Sequence, residues 1–376
     1  MAITWFEWFW LPEGLTWSDL EKVEGSNYEV RDFIAHSFLT GVLMLIFRNH
    51  IVLPSVLRPL GLRLGIRSKP YDAPSPNPEL EILFKINRAR PPRLRIVETS
   101  KIIGWTERKV ERWLRQKTLS TQMTTLEKFE ECGWQCIFYS CFSIFGLYAV
   151  ASKEFFWEPE KGWKSYPFFY VTHDLWWYCV IDCGFYLTQT YLLLVQDRRH
   201  DFYQMLCHHI ACFLVGVSCM ALRAVPLLAL GIFLHEFVDI PLCISKMIQY
   251  AGRNDQGDIF AIIFTVVWVC SRIIAYPLRV LIPAYKATQI IGTSLWLGLL
   301  WSQICSTVFF VLNILWTFEL AKAIKRKLTC SAHITDGRSS QEEMSEDETE
   351  RSRLEETKLK GIVNRVHATP DITCRG

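Results

Sequence analysis

The sequence predicts an all-α polytopic membrane protein, with about seven transmembrane helices and a small cytosolic helical insert. Half of its 376 residues are apolar and 21% are charged. The charges are concentrated in residues 48–131 and after Lys322, which leaves long and nearly uncharged stretches between them. Because an apolar helix of about 20 residues crosses a hydrocarbon core of about 30 Å, these stretches are typical of membrane spans.

The apolar stretches divide into seven candidate spans. Pro226 leaves only a very short connection between the fourth and fifth, which predicts a tight helical hairpin. A six-span alternative treats the first segment as an interfacial helix. Lys and Arg follow spans one, three, five and seven, so the positive-inside rule predicts a cytosolic C-terminus and a lumenal N-terminus. The spans are residues 33–53, 132–152, 172–195, 203–222, 225–245, 258–282 and 297–321.

The same distribution divides the chain into five segments. The last is rich in Asp and Glu and poor in apolar residues, so we expect a disordered cytosolic tail. The segments are a lumenal N-terminus at 1–32, a first transmembrane helix at 33–53, a cytosolic insert at 68–128, a domain of six further spans at 129–325, and the tail at 328–376.

The insert begins with a proline-rich linker and continues as a compact helical unit. Residues 93–115 predict two helices around Gly104, with Thr106 as the N-cap of the second. This pair resembles the second and third helices of a homeodomain. No Asn lies near Trp113, where that family reads adenine, so DNA binding is disfavoured. The basic residues are better suited to anionic lipid or to the phosphates of a ligand.

Ionisable groups inside a bilayer are costly and therefore mark candidate functional sites. Asp201 and His208 are seven residues apart on one helix face, whereas His209 points about 100° away. In the fifth span, His235 and Asp239 are four residues apart and share a face. The short turn between these spans predicts that the two sets of residues are neighbours.

Further candidates surround these two sets. Glu236 follows His235 directly, and the third and sixth spans contribute Trp177, Tyr178, Asp182 and Arg272. Arg198 and Arg199 lie at the cytosolic mouth, where they either mark topology or bind the phosphates of a substrate. No H-x-x-x-H or H-x-x-H-H series occurs, so a metal is not expected.

Residues 201–209, residues 235–247, Arg272 and Pro277 together resemble the Lag1 motif of the TLC domain in ceramide synthases. The homeodomain-like insert is similar to that of most animal members. The family usually has Asp where this chain has Glu236. The resemblance implies that 129–325 is a TLC domain in the endoplasmic reticulum membrane. It also implies that the chain transfers a fatty acyl group from acyl-CoA, its co-substrate, to a sphingoid base without a cofactor.

An imidazole can serve such a reaction in two ways, as a base toward the amine or as a covalent carrier of the acyl group. The resemblance favours an acyl-imidazole intermediate, with His208 as the nucleophile. It assigns His209 and His235 to orientation or to stabilising the tetrahedral intermediate. Asp239, Asp201 or Glu236 would hold an imidazole tautomer or receive the amine.

Two other functions remain as alternatives. The first is a non-enzymatic TLC protein that senses or transports lipid, and the second is a membrane-tethered DNA-binding regulator. The partners implied by the resemblance are acyl-CoA, a sphingoid base, membrane lipids and a homo- or heterodimer with other ceramide synthases. Ser345, which precedes three acidic residues, is a predicted phosphorylation site in the tail.

Overall fold

The computed structural model describes residues 7–21, 29–87, 91–164, 166–196 and 202–330. Within these ranges the regular structure is helical, without a strand. Seven helices are long and apolar enough to cross a membrane, so the predicted all-α polytopic class is confirmed. They are α1 (Val30–Arg63), α2 (Thr125–Ala151), α3 (His173–Val195), α4 (Phe202–Ala221), α5 (Val225–Tyr250), α6 (Asn254–Tyr285) and α7 (Leu297–Cys330).

Helices α1 and α3 pack closely because small residues face each other. A Cβ atom added to Gly41 would lie 2.8 Å from the carbonyl oxygen of Gly184. Thr188 of α3 also donates a hydrogen bond of 2.8 Å to the carbonyl of Gly41. Small residues let membrane helices approach at backbone distance, which maximises van der Waals contact where lipid offers no hydrophobic driving force.

Helices α4 and α5 form the tight hairpin that the sequence predicts. Three residues connect them, and the middle one, Arg223, has a φ of 58°. Pro226 occupies the first turn of α5, where its missing N–H would have no helical partner. The hairpin therefore sets the faces of α4 and α5 side by side.

Helix α5 is interrupted at residues 237–238, between the segments Val225–Glu236 and Asp239–Tyr250. Pro241 explains the interruption, because its nitrogen cannot donate to the carbonyl of Phe237. That carbonyl instead accepts a hydrogen bond of 3.4 Å from Ile240. The hydrogen-bond pattern of α5 is therefore broken at this point, although Phe237 and Val238 both keep right-handed helical dihedrals.

Two of the long helices contain wider π-helical turns. In α1 these are Arg48–Leu57, and in α6 they are Val269–Ala275 and Pro277–Leu281. Near the far end of α7, Lys327 pairs with the buried carboxylate of Asp258 on α6. Two short helices, Glu7–Trp10 and Trp17–Glu21, precede α1. Other short helices connect later spans at Glu154–Trp157, Lys161–Lys164 and Ala287–Ile291.

Residues 69–122 form a separate compact unit. Its helices are Pro78–Asn87, Arg93–Ile103 and Glu107–Thr121. Gly104, with a φ of 67°, ends the second helix, and Thr106 caps the third by accepting a hydrogen bond from the Lys109 amide, as predicted. The core of this unit consists of Leu80, Leu83, Ile96, Val110, Trp113 and Leu114.

Candidate active site

The two adjacent histidines of α4 both lie in the interior of the bundle. His208 and His209 each expose only 7% of their surface. One tyrosine of α3, Tyr186, contacts both rings, with centroid distances of 5.8 and 5.7 Å. Both Nδ1 atoms are buried and have no hydrogen-bond partner in the part of the chain that the structure describes. Each imidazole therefore has one ring nitrogen that no described residue engages.

His208 has the more enclosed ring of the pair. Phe309 and Trp316 of α7 lie against it, with centroid distances of 4.8 and 5.1 Å. On α4 itself, one turn further along, the Sγ atom of Cys212 is 3.6 Å from the Nε2 atom of His208. These neighbours shield the imidazole from bulk water.

His235 of α5 differs, because both of its nitrogens are engaged. Its Nδ1 atom is 2.8 Å from the carbonyl oxygen of Gly231, one turn earlier in the same helix. Its Nε2 atom is 3.1 Å from the side-chain amide nitrogen of Asn313 on α7. The ring also contacts Tyr276 and Phe309 at 4.8 Å. His235 is therefore held in place rather than available.

Asp239 and Arg272 form an ion pair across α5 and α6. The Nη2 atom of Arg272 is 2.7 Å from Asp239 Oδ2 and donates a second hydrogen bond, of 2.9 Å, to the carbonyl of His235. Its guanidinium also lies 4.2 Å from the centre of the Trp268 ring. Arg272 therefore links Asp239 to the backbone of His235 across the break in α5. That Asp239 and the His235 imidazole share one helix face remains a prediction.

Glu236 is almost completely buried, with 1% of its surface exposed. Tyr186 donates a hydrogen bond of 2.7 Å to its Oε1 atom, whereas Oε2 has no partner among the described residues. Asp182, one turn before Tyr186 on α3, is also buried, and its Oδ1 atom is likewise unsatisfied within those ranges. Two carboxyl groups with open oxygens can accept hydrogen bonds from a bound donor.

A cavity extends between α3, α4, α5, α6 and α7. Along α5 it runs from Glu236 to Ala224, a distance of about 18 Å for twelve helical residues. Its polar half contains Asp182, Tyr186, Cys212, His235, Glu236 and Tyr276, and its apolar half contains Trp163, Ala224, Leu227, Ala284 and Leu299.

The structure brings most of the predicted residues together. His235 and Glu236 line the cavity, and His208 contacts two residues that also line it, Cys212 and Phe309. His209, Asp239 and Arg272 complete the surrounding shell through the contacts given above. Arg198, Arg199 and Asp201 lie outside the described residues, so their predicted roles remain predictions.

Trp177 and Tyr178 are not brought to the cavity. Trp177 is 41% exposed and contacts His36 of α1, with a centroid distance of 5.7 Å. Tyr178 is buried against Phe142 of α2, at 4.5 Å. Helical phase explains the position of Trp177, since five residues separate it from Asp182 and turn it about 140° away.

Sequence reasoning missed three residues of this site: Tyr186, Tyr276 and Asn313. Each is a polar residue within a predicted span. For Asn313 there was a usable signal, because a buried amide within a membrane helix is unfavourable without a partner. Tyr186 lies four residues after Asp182, a spacing that places both on one helix face.

The chemistry of the site is that of imidazoles and carboxylates. Across the described residues, no group of three or more His, Cys, Asp or Glu side chains is arranged to hold a metal ion. The available groups can donate, accept or carry a proton, and an imidazole can also form a covalent bond to an acyl group.

Comparison with known proteins places this arrangement in a family. The TLC domain model matches residues 128–322, which include every described residue of the site. Human ceramide synthase 5 (Homo sapiens) is 30% identical over 356 residues, covering 92% of this chain and 88% of that protein. The chain belongs to the ceramide synthase family. Two mouse (Mus musculus) members are also similar. Ceramide synthase 5 is 28% identical, over 89% of this chain and 81% of that protein. Ceramide synthase 3 is 30% identical, over 74% of this chain and 72% of that protein.

The part of the chain that matches the TLC domain model contains the cavity. The match begins at α2 and ends within α7, so it contains all five helices that line the cavity. The chain is a multi-pass membrane protein and an acyltransferase of this family.

Proposed function

We propose that this chain transfers a fatty acyl group from acyl-CoA to the amine of a sphingoid base, through an acyl group carried by His208. The observation that carries the proposal is the contrast between the two histidine sites. His208 has an unengaged Nδ1 atom and lies beside a largely apolar cavity, whereas both nitrogens of His235 are engaged. The proposed reaction has two steps.

In the first step, the unprotonated ring nitrogen of His208 attacks the thioester carbonyl. A bond forms between nitrogen and the acyl carbon, and the carbon–sulfur bond breaks. The CoA thiolate leaves as the thiol, taking the proton that the other ring nitrogen carried. The aromatic neighbours Phe309 and Trp316 limit water at this nitrogen, which protects the acyl-imidazole from hydrolysis.

In the second step, the amine of the sphingoid base attacks the acyl carbon. A sphingoid base arrives as an ammonium, so one proton must leave before its nitrogen has a lone pair. The open carboxylate oxygen of Glu236 or Asp182 accepts this proton. The bond from the acyl carbon to His208 then breaks, and the second amine proton returns to the imidazole. The carboxyl group finally releases its proton to solvent, which leaves ceramide or dihydroceramide and the free enzyme.

The apolar half of the cavity suits a hydrocarbon chain. Its lining includes the aliphatic and aromatic side chains of Trp163, Leu227 and Leu299. We further propose that the protein lies in the endoplasmic reticulum membrane with the 196–202 connection toward the cytosol. Acyl-CoA would then approach from that side, where Arg198 and Arg199 would bind the phosphates.

The test uses the purified full-length chain in phospholipid nanodiscs. With sphinganine and a series of acyl-CoAs, the expected product is dihydroceramide. With acyl-CoA alone, mass spectrometry should find one acyl group on the peptide that contains His208. Because Cys207 and Cys212 are close by, Cys207→Ala and Cys212→Ser serve as matched controls that should retain the adduct.

An adduct that disappears in Cys212→Ser but persists in His208→Ala would assign the nucleophile to the thiol. Sphinganine binding without any product, at every acyl-chain length, would instead favour a lipid-binding protein that lacks the transfer.

A further inference from the structure

Asn313 is the most deeply buried polar residue of α7, with 0% of its surface exposed. It lies between Phe309 and Trp316, at spacings of four and three residues, which places all three on one face of the helix. The two aromatic residues contact His208, and Asn313 itself contacts His235. This face of α7 therefore touches both histidine sites.

The hydrogen bonds of His235 determine its tautomer. The Gly231 carbonyl can only accept a hydrogen bond, so the Nδ1 atom at 2.8 Å from it must carry the proton. In a neutral imidazole the lone pair is then on Nε2. The atom of Asn313 at 3.1 Å from Nε2 is the amide nitrogen, which donates to that lone pair. The orientation of the amide and the tautomer of the ring are therefore consistent with each other.

His235 lines the same cavity as Glu236. If its Nε2 lone pair were free, the cavity would contain a second nucleophile with the chemistry proposed for His208. An acyl group bound there would lie on a different helix, with a different approach for the amine. Engaging this lone pair therefore prevents a competing acylation.

We infer that Asn313 is a positioning residue that engages the Nε2 lone pair of His235 and so restricts acylation to His208. This inference rests on the proposed acyl-imidazole chemistry. A packing role alone does not account for an amide here, because its Oδ1 atom is buried without a partner in the described part of the chain. Leucine would fill a similar volume without burying an unsatisfied polar atom.

The experiment compares Asn313→Leu with Gln303→Leu in full-length protein in nanodiscs. Gln303 is a matched control because it is also a buried amide of α7, and it donates a hydrogen bond of 2.9 Å to the carbonyl of Ala284. Asn313→Ser provides a second, smaller variant whose hydroxyl is too short to reach Nε2. Asn313→His is the rescue variant, since its ring can again donate an N–H.

For Asn313→Leu and Asn313→Ser, incubation with acyl-CoA alone should place acyl groups on peptides containing His235 as well as His208. Their kcat should fall about 10- to 100-fold through misdirected acylation, with little change in KM for acyl-CoA. Gln303→Leu should show the adduct on His208 only, and Asn313→His should recover most of the kcat.

An adduct confined to His208 in both Asn313 variants, with a kcat equal to that of Gln303→Leu, would overturn the inference. Failure of the proposed function gives a different result, because the unaltered protein would then form no histidine adduct. Size-exclusion chromatography of each variant separates misfolding from misdirected acylation.

Discussion

Helix α5 takes part in both halves of the cavity, with different chemistry in each. Helix α5 contributes His235 and Glu236 to the polar half, and Ala224 and Leu227 to the apolar half. Polar residues in the first half form specific pairs, such as the hydrogen bond from Tyr186 to Glu236. The second half merges with an apolar cluster that includes Trp163 and Trp296.

This difference separates two properties of the enzyme. Buried polar groups are costly unless they are paired, so substitutions in the polar half should change catalysis or stability steeply. The apolar half would bind an acyl chain through buried surface area and shape, and each buried methylene contributes a small increment of binding free energy. We therefore expect the polar half to control the rate and the apolar half to control which acyl chain is accepted.

The largest expected effect is that of His208→Ala. Removing the proposed nucleophile should lower ceramide formation by about 10³-fold or more, as expected for a covalent catalyst. His209→Ala should also abolish most of the transfer, because the two rings share Tyr186. The measurement is dihydroceramide formation by purified variants, normalised to folded protein. Near-normal turnover by either variant would remove that histidine from the mechanism.

A second prediction concerns the ion pair between Asp239 and Arg272. Asp239→Ala leaves the buried guanidinium of Arg272 without its carboxylate, which should reduce the free energy of unfolding by about 3–5 kcal/mol. Thermal unfolding in detergent measures this loss. The double variant Asp239→Ala/Arg272→Met removes both charges and should be more stable than Asp239→Ala alone. If the double variant is the less stable of the two, the pairing does not account for the loss.

The sequence predicted the spans well because membrane helices are encoded by long apolar runs, which depend little on tertiary contacts. It also predicted the hairpin at Pro226 and the cap at Thr106. The break in α5 was missed, although Pro241 indicated it, because helical periodicity was extended through the proline. Contacts between helices could not be derived from the spacing within each one. Two such contacts are the pairing of Asp239 with Arg272 of α6 and the pairing of His235 with Asn313 of α7.

A third prediction tests the polar half without removing a charge. In Tyr186→Phe the hydroxyl that donates to Glu236 is lost while the ring against His208 and His209 remains. A buried hydrogen bond to a charged group contributes about 1.5–3 kcal/mol, so we expect kcat to fall about 10- to 100-fold. Glu236→Asp, which gives the usual family residue, should retain activity. Unchanged kcat in Tyr186→Phe would mean that the hydroxyl does not assist Glu236.

The smallest expected effect lies at the apolar end. Trp163 lines the cavity and is 2% exposed, so Trp163→Ala should lengthen the space available to an acyl chain. Each additional buried methylene contributes about 0.8 kcal/mol, so kcat/KM for longer acyl-CoAs should rise by about fourfold per methylene relative to the unaltered protein. Competition among acyl-CoAs of several lengths, followed by mass spectrometry of the products, measures this shift.

Leu295→Ala is a suitable control, because Leu295 is an exposed residue outside the cavity lining. If Trp163→Ala instead lowers kcat/KM equally for acyl-CoAs of every length, then Trp163 supports the fold and does not limit the length of the acyl chain. The apolar half would then not control which acyl chain is accepted.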